Sequence, residues 1–280
     1  MPDHAPTKPV RVGPVQVGGE GPLVLIAGPC VIDDAETALH IARAIAYVAE
    51  EFRIPAIFKA SFDKANRMSL GSFRGPGLAG GIEVLKAVRG ETGLPVNTDI
   101  HESHQAELVA SAVDMLQIPA LLCRQTDLVV AAAKTGKPVL IKRGQFMAPQ
   151  DMAPIAVKAA ASGSGGVLLA ERGASFGYGR LVVDMRSLEI MRETGCPVVF
   201  DATHSVQEPG ALGAATGGNR AMVEPLARAA VAVGADGLFF ETHPNPDAAL
   251  SDGPNMVPLD EFAGLLRRLL AIRHTVEKLT

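Results

Sequence analysis

The sequence predicts an α/β fold: a (β/α)₈ TIM barrel that forms one domain over residues 1–280, with a short N-terminal β-hairpin capping the bottom. Eight short apolar runs alternate with longer amphipathic or alanine-rich segments. The runs are apolar throughout, which is typical of parallel strands buried on both faces, and eight of them close a barrel. Several helical segments end in glycine followed by proline (TGLP, TGKP, TGCP), a signal that a helix leads into the next strand. An open doubly wound sheet of eight strands is the alternative that this pattern leaves open.

The predicted elements follow one another in a regular order. The strand candidates are residues 23–28, 55–61, 95–100, 115–120, 138–144, 166–173, 197–204 and 237–244. Residues 34–52 and 219–237 lie between strands as helix candidates, and apolar positions in 259–279 are spaced as in an α-helix. Residues 10–19, VRVGPVQVGG, alternate in polarity and contain glycine, which predicts the capping hairpin.

Composition restricts the class of protein. The formal net charge is −4, which disfavours a nucleic-acid-binding protein because such proteins present a basic face. Three cysteines, an odd number, argue against a disulfide framework and for a reducing compartment. The N-terminal segment lacks the apolar region of a signal peptide, and no apolar run approaches the ~18 residues of a membrane span. We therefore expect a cytoplasmic protein.

Polar side chains gather where the predicted strands end. In a barrel of this type the chemistry lies at the C-terminal ends of the strands. Any one of them could be an ordinary polar residue at the point where a strand reaches the surface. That explanation fits poorly when eight strand ends carry such residues. The residues are Cys30, Lys59, Asp99, Gln117, Lys142, Arg172, His204 and Glu241.

One group of these side chains is cationic. The loop from Phe58 to Gly77 carries four cations and one anion although the whole chain is slightly acidic. Arginine binds a carboxylate or phosphate through two parallel hydrogen bonds, and lysine adds a mobile point charge. A solvated surface loop is the simpler alternative, but partners on other strand–loop units favour a site for a small anion. The group is Lys59, Lys64, Arg67, Lys142 and Arg172.

A second group has the chemistry of metal ligands: Cys30, His204, Glu241 and Asp252. A thiolate, an imidazole and two carboxylates suit a divalent ion such as Zn²⁺, Fe²⁺ or Mn²⁺. The four residues are far apart in the chain, so no local spacing motif supports the set. The alternative for Cys30, and the preferred interpretation for Cys123 and Cys196, is a small buried apolar side chain.

Long polar motifs of the chain resemble those of the 3-deoxy-D-manno-octulosonate 8-phosphate synthase family. The resemblance runs in order, without large gaps, from about Leu23 to Met256. The motifs are KASFDKANRMS with SFRGPG, TDIHE, DMLQIPALLCRQTDL, IKRGQFMAP, ERGASFGYGRLVVDMRSL, FDATHSVQ and ETHPNPDAALSDGPNM.

The resemblance implies a (β/α)₈ barrel that is commonly a homotetramer. It implies condensation of phosphoenolpyruvate with arabinose 5-phosphate and water, which yields the 8-phosphate sugar acid and inorganic phosphate. In that reaction C3 of phosphoenolpyruvate attacks C1 of the aldehyde, water adds to C2, and the hemiketal phosphate collapses by C–O cleavage. The product feeds lipopolysaccharide synthesis in Gram-negative bacteria.

The resemblance also assigns roles to residues. It implies that Lys59, Lys64, Lys142 and Arg172 hold the phosphate and carboxylate of phosphoenolpyruvate. The expected ligands of the sugar phosphate are Asn66, Arg67 and Ser69, together with Arg124 from a neighbouring subunit, while Asp99 and Gln117 lie near the sugar and the floor of the site. The expected catalytic residues are Lys59, Lys64, Asn66, Asp99 and His204.

One divalent metal ion (Zn, Fe, Mn or Co) is implied as well. The family divides into a metal-dependent class with cysteine in AGPC and a metal-independent class with asparagine there. This chain reads AGPC, so Cys30 follows the metal-dependent pattern, and His204, Glu241 and Asp252 match the other ligands. The sequence leaves open whether the ion polarises the aldehyde or activates water, and whether His204 also donates to the phosphate.

Two alternatives stay open at this point. The sister family, 3-deoxy-D-arabino-heptulosonate 7-phosphate synthase, shares the barrel and the metal ligands but usually has KPRTS where this chain has KANRMS. The other alternative is a barrel that binds sugar phosphates without turnover. The chain also departs from its own family, which typically reads KANRSS, because Met68 replaces a serine that helps to hold the sugar's phosphate.

Overall fold

The computed structural model describes residues 6–67, 69–210 and 217–279. Eight parallel strands, β1 to β8, form the barrel predicted from the sequence. Their bounds are Val24–Gly28, Ala56–Lys59, Val96–Asp99, Met115–Ile118, Val139–Lys142, Val167–Glu171, Val198–Asp201 and Gly237–His243.

The sheet closes on itself. Each strand pairs in parallel with the next, and β8 pairs with β1 in a register that sets Gly237 opposite Val24 and Glu241 opposite Gly28. A Cβ atom at Gly28 would lie 1.9 Å from the carbonyl oxygen of Lys59, so glycine is required where β1 and β2 approach each other. The closed sheet rules out the open doubly wound alternative.

Eight α-helices surround the barrel within the described residues. α1 shows how the sequence sets their ends: the Asp34 carboxylate accepts a hydrogen bond from the Thr37 backbone at 2.8 Å, and Arg53 adopts a left-handed conformation after the last turn. The helices α1 to α8 span Ala35–Phe52, Gly77–Thr92, Ala106–Ala110, Thr126–Lys134, Met152–Ala161, Arg186–Arg192, Val223–Val233 and Phe262–Glu277.

Side chains alternate between two cores along each strand. Outward-facing residues pack against the helices, whereas inward-facing residues such as Ile26, Leu140 and Phe239 fill the barrel. Above this inner apolar layer, the inward positions nearest the C-terminal ends of the strands become polar, for example at Asp99 and Lys142. The alternation therefore directs the predicted functional side chains towards one end of the barrel.

The N-terminal hairpin closes the opposite end. Its two antiparallel strands, Val10–Val12 and Val15–Val17, direct their valines into the inner core. Gly18 approaches Pro197 and Gly13 approaches Pro95, and each proline precedes a barrel strand. The predicted capping hairpin is therefore confirmed. None of the helices in the described ranges is long and apolar enough to cross a membrane.

Candidate active site

A cavity of about 380 Å³ opens at the C-terminal end of the barrel. Its wall combines charged residues at the ends of three strands, β2, β3 and β5, with residues of the loops that follow the strands. Among the described residues the lining consists of Lys59, Lys64, Ala65, Asn66, Arg67, Asp99, His101, Gln117, Pro119, Ala120, Leu121, Leu122, Lys142, Gln145, Arg172, His204, Gln207, Pro209, Gly210, Ser251 and Asp252.

The lining is rich in positive charge. Five lysine and arginine side chains contribute to the described wall, against the two carboxylates of Asp99 and Asp252. Lys59, Lys142 and Arg172 are all buried, at no more than 4% exposure. Buried cations are costly unless an anion neutralises them, so the cavity is suited to a small, highly charged anion.

On one side of the cavity, polar groups form a chain of hydrogen bonds. Lys59 Nζ donates to Ser61 Oγ at 2.6 Å, and Ser61 donates to Asp99 Oδ1 at 2.5 Å. The other oxygen of Asp99 lies 3.0 Å from His101 Nε2. Burial opposes ionisation of Asp99, but the charge of Lys59 and the contact with His101 outweigh it and hold the pKa of that carboxyl well below its usual value.

A second cluster lies on β5, β7 and β8. Lys142 Nζ donates to Asp201 Oδ2 at 2.5 Å and lies 3.6 Å from the centroid of the Phe239 ring. Burial lowers the pKa of Lys142, and the neighbouring Asp201 partly opposes that shift. His204 Nδ1 lies 2.8 Å from the same Asp201 oxygen.

Arg172 has an unused hydrogen-bond donor. Its Nη2 donates to Gln207 Oε1, whereas Nη1 is buried and has no partner among the described residues. An unpaired buried guanidinium nitrogen costs free energy, and an anionic ligand in the cavity would remove that cost.

Three of the four predicted metal ligands form a compact cluster. Ligand atoms of Cys30, Glu241 and Asp252 all lie within 4.8 Å of one another. His204 Nε2 lies 3.4 Å from Glu241 Oε1 and 3.9 Å from Asp252 Oδ2. The four residues come from the ends of β1, β7 and β8 and from the loop after β8, so the closed barrel brings together residues that are distant in sequence.

The cluster fits a divalent cation. Both carboxylate oxygens of Glu241 are buried and accept no hydrogen bond within the described part of the chain. Cys30 is fully buried, and desolvation followed by the charge of Glu241 raises the pKa of its thiol well above the usual value. A bound cation would reverse both penalties, because it offers Glu241 a partner and stabilises the thiolate.

Lys64 provides the opposite charge beside this cluster. Burial disfavours its ammonium, yet Cys30, Glu241 and Asp99 together raise the pKa of Lys64 above its usual value. Lys64 therefore stays protonated between the possible metal ligands and the cation-rich wall.

The loop after β8 holds Asp252 in an uncommon conformation. Asp252 has φ 51°, in the left-handed region. A Cβ atom at the next residue, Gly253, would lie 2.2 Å from the carbonyl oxygen of Pro246. Arg67 Nη2 donates to the Leu250 carbonyl at 3.1 Å, which ties this loop to the basic loop after β2.

The structure brings most predicted site residues together. Lys59, Lys64, Asn66, Arg67, Asp99, Gln117, Lys142, Arg172, His204 and Asp252 line the cavity, and Cys30 and Glu241 are buried beside Asp252. Ser69 and Arg124 are exposed and lie outside the described lining. Met68, which the sequence singled out, lies outside the described residues.

Several residues of the site were missed by sequence reasoning. His101 and Gln207 line the cavity. Ser61 and Asp201 are not part of the described lining, but they accept hydrogen bonds from its lysines. The available signal was their place in the same motifs: Asp201 lies three residues before His204, and His101 two residues after Asp99.

Three relatives of this chain share one name. The chain is 58% identical over 263 residues to a protein of Magnetococcus marinus named 2-dehydro-3-deoxyphosphooctonate aldolase. The aligned residues make up 94% of this chain and 92% of that protein. Proteins with the same name from Syntrophotalea carbinolica and Methylococcus capsulatus are each 56% identical, covering 94% and 96% of this chain and 95% of each relative.

The match to a family model extends over nearly the whole chain. Residues 6–277 match the model described as the DAHP synthetase I family, a range that includes the hairpin, all eight barrel strands and every residue of the cavity wall. This chain therefore belongs to the DAHP synthetase I family.

Proposed function

We propose that the chain is an enzyme that condenses phosphoenolpyruvate with arabinose 5-phosphate and water to 3-deoxy-D-manno-octulosonate 8-phosphate and inorganic phosphate. The relatives' shared name supports this choice, because it describes a 2-dehydro-3-deoxy acid phosphate with eight carbons. The observation that carries the proposal is the cation-rich cavity next to the cluster of possible metal ligands.

Phosphoenolpyruvate would bind between the strand-end cations. It carries a phosphate and a carboxylate, so it needs several donors held in fixed positions. Lys59, Lys142 and Arg172 are buried around the cavity, and Nη1 of Arg172 has no partner among the described residues. Charged hydrogen bonds of this kind contribute about 1.5–3 kcal/mol each. These side chains would also stabilise the negative charge that moves onto the departing phosphate.

The sugar phosphate would extend from the metal cluster towards the mouth of the cavity. Asn66 and Arg67 lie on the loop after β2, and the half-buried Arg67 is anchored to the Phe73 carbonyl at 2.9 Å. Ser69 and Arg124 are exposed, which is compatible with contacts to the phosphate end and, for Arg124, with a contribution from a neighbouring subunit. A homotetramer and a cytoplasmic location remain part of this proposal.

Cys30, His204, Glu241 and Asp252 would hold one divalent ion, either Zn, Fe, Mn or Co. When bound, such an ion supplies Lewis-acid activation of an oxygen atom of the substrate or of water. The protein's own groups would orient the reactants: Lys59 and Asp99 line the cavity as a pair 3.4 Å apart, and Lys142 Nζ lies 3.4 Å from His204 Nδ1. The hydroxyl-rich sugar would meet Asp99, Gln117 and Asn66, which line the same space.

A heptulosonate-forming reaction is the second candidate, because the family description names that synthase. It would use erythrose 4-phosphate, a sugar one carbon shorter. The KANRMS sequence and the names of the relatives favour the longer sugar.

The test is phosphate release from phosphoenolpyruvate by metal-loaded protein with each aldose phosphate in turn. We expect kcat/KM to be far higher with arabinose 5-phosphate than with erythrose 4-phosphate. The reverse order would favour the second candidate, and no release with either aldose would favour a barrel that only binds sugar phosphates. Light scattering of the same sample measures the number of subunits, for which we expect four.

A further inference from the structure

Asp201 connects the two halves of the site although it does not line the cavity. It ends strand β7, is fully buried, and its Oδ2 contacts both Lys142 Nζ at 2.5 Å and His204 Nδ1 at 2.8 Å. Lys142 belongs to the cation group, whereas His204 belongs to the cluster of possible metal ligands. One carboxylate oxygen therefore contacts a residue of each half.

The second oxygen fixes the carboxylate in place. Oδ1 accepts hydrogen bonds from the His204 backbone N–H at 2.9 Å and from Thr203 Oγ1 at 3.3 Å. Thr203 Oγ1 in turn accepts from the Glu241 backbone N–H at 3.1 Å, so the network reaches a third element, strand β8. With four donors around it, Asp201 has little freedom to change its orientation.

This arrangement determines which nitrogen of His204 carries a proton. A carboxylate oxygen only accepts hydrogen bonds, and an unprotonated ring nitrogen at 2.8 Å would set one lone pair against another, so this contact favours the tautomer protonated at Nδ1. The lone pair of the neutral ring is then on Nε2, which lies 3.4 Å from Glu241 Oε1 and 3.9 Å from Asp252 Oδ2. That is the tautomer in which Nε2 can ligate a metal.

The same oxygen restrains Lys142. The ammonium lies between Asp201 and the face of the Phe239 ring, 3.6 Å from its centroid. With its proton on Nδ1, His204 cannot accept from Lys142 at the 3.4 Å contact, so the two remaining N–H donors of Lys142 are available to the cavity. The position of Lys142 in the anion site therefore depends on Asp201.

We infer that Asp201 is a positioning residue for both halves of the site, which selects the metal-binding tautomer of His204 and holds Lys142 towards the anion. The inference rests on the proposed function for the roles of the two halves. This role requires no proton exchange between Asp201 and either side chain during the reaction.

The test compares the parent with Asp201→Asn. The asparagine side chain has the same shape but carries two N–H donors, so it can donate to His204 Nδ1 and stabilise the opposite tautomer. We expect the affinity for Co²⁺ or Zn²⁺, measured by competition with a chelator, to fall about 10- to 100-fold. In ¹⁵N-histidine NMR spectra of metal-free protein, we expect the His204 signals to move from the Nδ1–H to the Nε2–H pattern.

A third measurement concerns the other half of the site. In Asp201→Asn saturated with metal, we expect the KM for phosphoenolpyruvate to rise about tenfold while that for arabinose 5-phosphate changes less. A matched control is Asp236→Asn. Asp236 is also a buried carboxylate, but it lies at the other end of β7, where it accepts from the Val198 backbone at 2.8 Å and pairs with Arg192 at 3.6 Å. The control should change neither metal affinity nor either KM.

The outcomes separate the inference from the function on which it rests. Unchanged metal affinity and an unchanged His204 tautomer in folded Asp201→Asn, as judged by circular dichroism, would overturn the inference. Equal losses in Asp236→Asn would overturn it too, since they would indicate general damage to the barrel. If the parent shows no turnover, the proposed function fails, yet metal affinity and tautomer still decide the role of Asp201.

Discussion

Arg143 and Glu171 form a two-pronged ion pair, with Nε–Oε2 and Nη2–Oε1 distances of 2.7 and 2.5 Å. Both side chains are almost completely buried. Arg143 follows Lys142 in the chain and Glu171 precedes Arg172, so the pair joins the C-terminal ends of β5 and β6, where these cations lie. Glu171 also accepts from the Gly173 backbone at 2.7 Å.

We expect Glu171→Gln to lower the free energy of unfolding by about 3–5 kcal/mol, because it leaves the Arg143 charge buried without a counter-charge. Urea denaturation of the metal-free protein measures the change. The control is Asp184→Asn, which breaks an exposed pair with Arg186 and should cost at most about 1 kcal/mol. Similar losses in the two variants would contradict the structural role of the buried pair.

Removal of the metal should abolish turnover. Dialysis against a chelator should eliminate phosphate release, and added Mn²⁺, Co²⁺ or Zn²⁺ should restore it. Cys30→Ala should lower metal affinity, whereas Cys123→Ala, which replaces a buried thiol that contacts Met147, should not. Cys30→Asn reproduces the residue of the metal-independent class, so we expect partial activity without metal. Full activity of the chelated parent would refute the metal proposal.

Lys142→Ala should weaken the binding of phosphoenolpyruvate far more than the binding of the sugar phosphate. Loss of a charged hydrogen bond of about 1.5–3 kcal/mol corresponds to roughly a 10- to 150-fold increase in KM for phosphoenolpyruvate. Steady-state kinetics with each substrate varied in turn gives both constants. Lys86→Ala on the surface of α2 is the control, since its partner is the exposed Glu83. A parallel loss for both substrates would argue against the assignment of Lys142.

The contribution of Asp99 to stability should depend on pH in one direction. Its pKa is lower in the folded protein than in the unfolded chain, where about 3.9 is usual. The ionised form therefore stabilises the fold above pH ~4, and this stabilisation disappears as pH falls through the folded-state pKa. The difference in unfolding free energy between the parent and Asp99→Asn should be constant above pH ~5 and shrink on acidification. A difference that grows towards low pH would refute this assignment.

Met68→Ser tests the departure from the family sequence. Restoring one neutral hydroxyl should contribute about 0.5–1.5 kcal/mol, so the KM for arabinose 5-phosphate should fall several-fold or less. The KM for phosphoenolpyruvate should not change, and Met68→Ala is the control without a hydroxyl. If the serine variant were active where the parent is inactive, the natural sugar substrate would differ from the one proposed.

The barrel was predictable because its strands carry a strong local signal. Apolar runs between helix stops such as TGKP marked all eight strands, but several candidates extended too far. The run 197–204 illustrates the reason: pairing ends at Asp201, and His204–Val206 turns into a 3₁₀ helix. Local composition does not show where a neighbouring strand stops donating hydrogen bonds. The short antiparallel pairing of Ala174–Ser175 with Leu181–Val182 was not predicted either.

The candidate site was predicted as a set of residue types, and the structure adds their connections. Lys142 and His204 were expected in different groups, and only the closed barrel shows that both contact Asp201. Sequence order placed Asp201 in the same motif as His204, but it did not show that Asp201 also contacts Lys142. Likewise, Nη1 of Arg172 lacks a partner within the described ranges because of how the side chains pack, and the order of residue types does not reveal packing.

Product analysis tests the central claim most directly. Metal-loaded protein is incubated with phosphoenolpyruvate and arabinose 5-phosphate, and the mixture is examined by mass spectrometry and ³¹P NMR. We predict an eight-carbon 3-deoxy acid phosphate together with an equal amount of inorganic phosphate, formed only when both substrates are present. Unchanged phosphoenolpyruvate in that mixture, or phosphate released without a new carbon–carbon bond, would contradict the account.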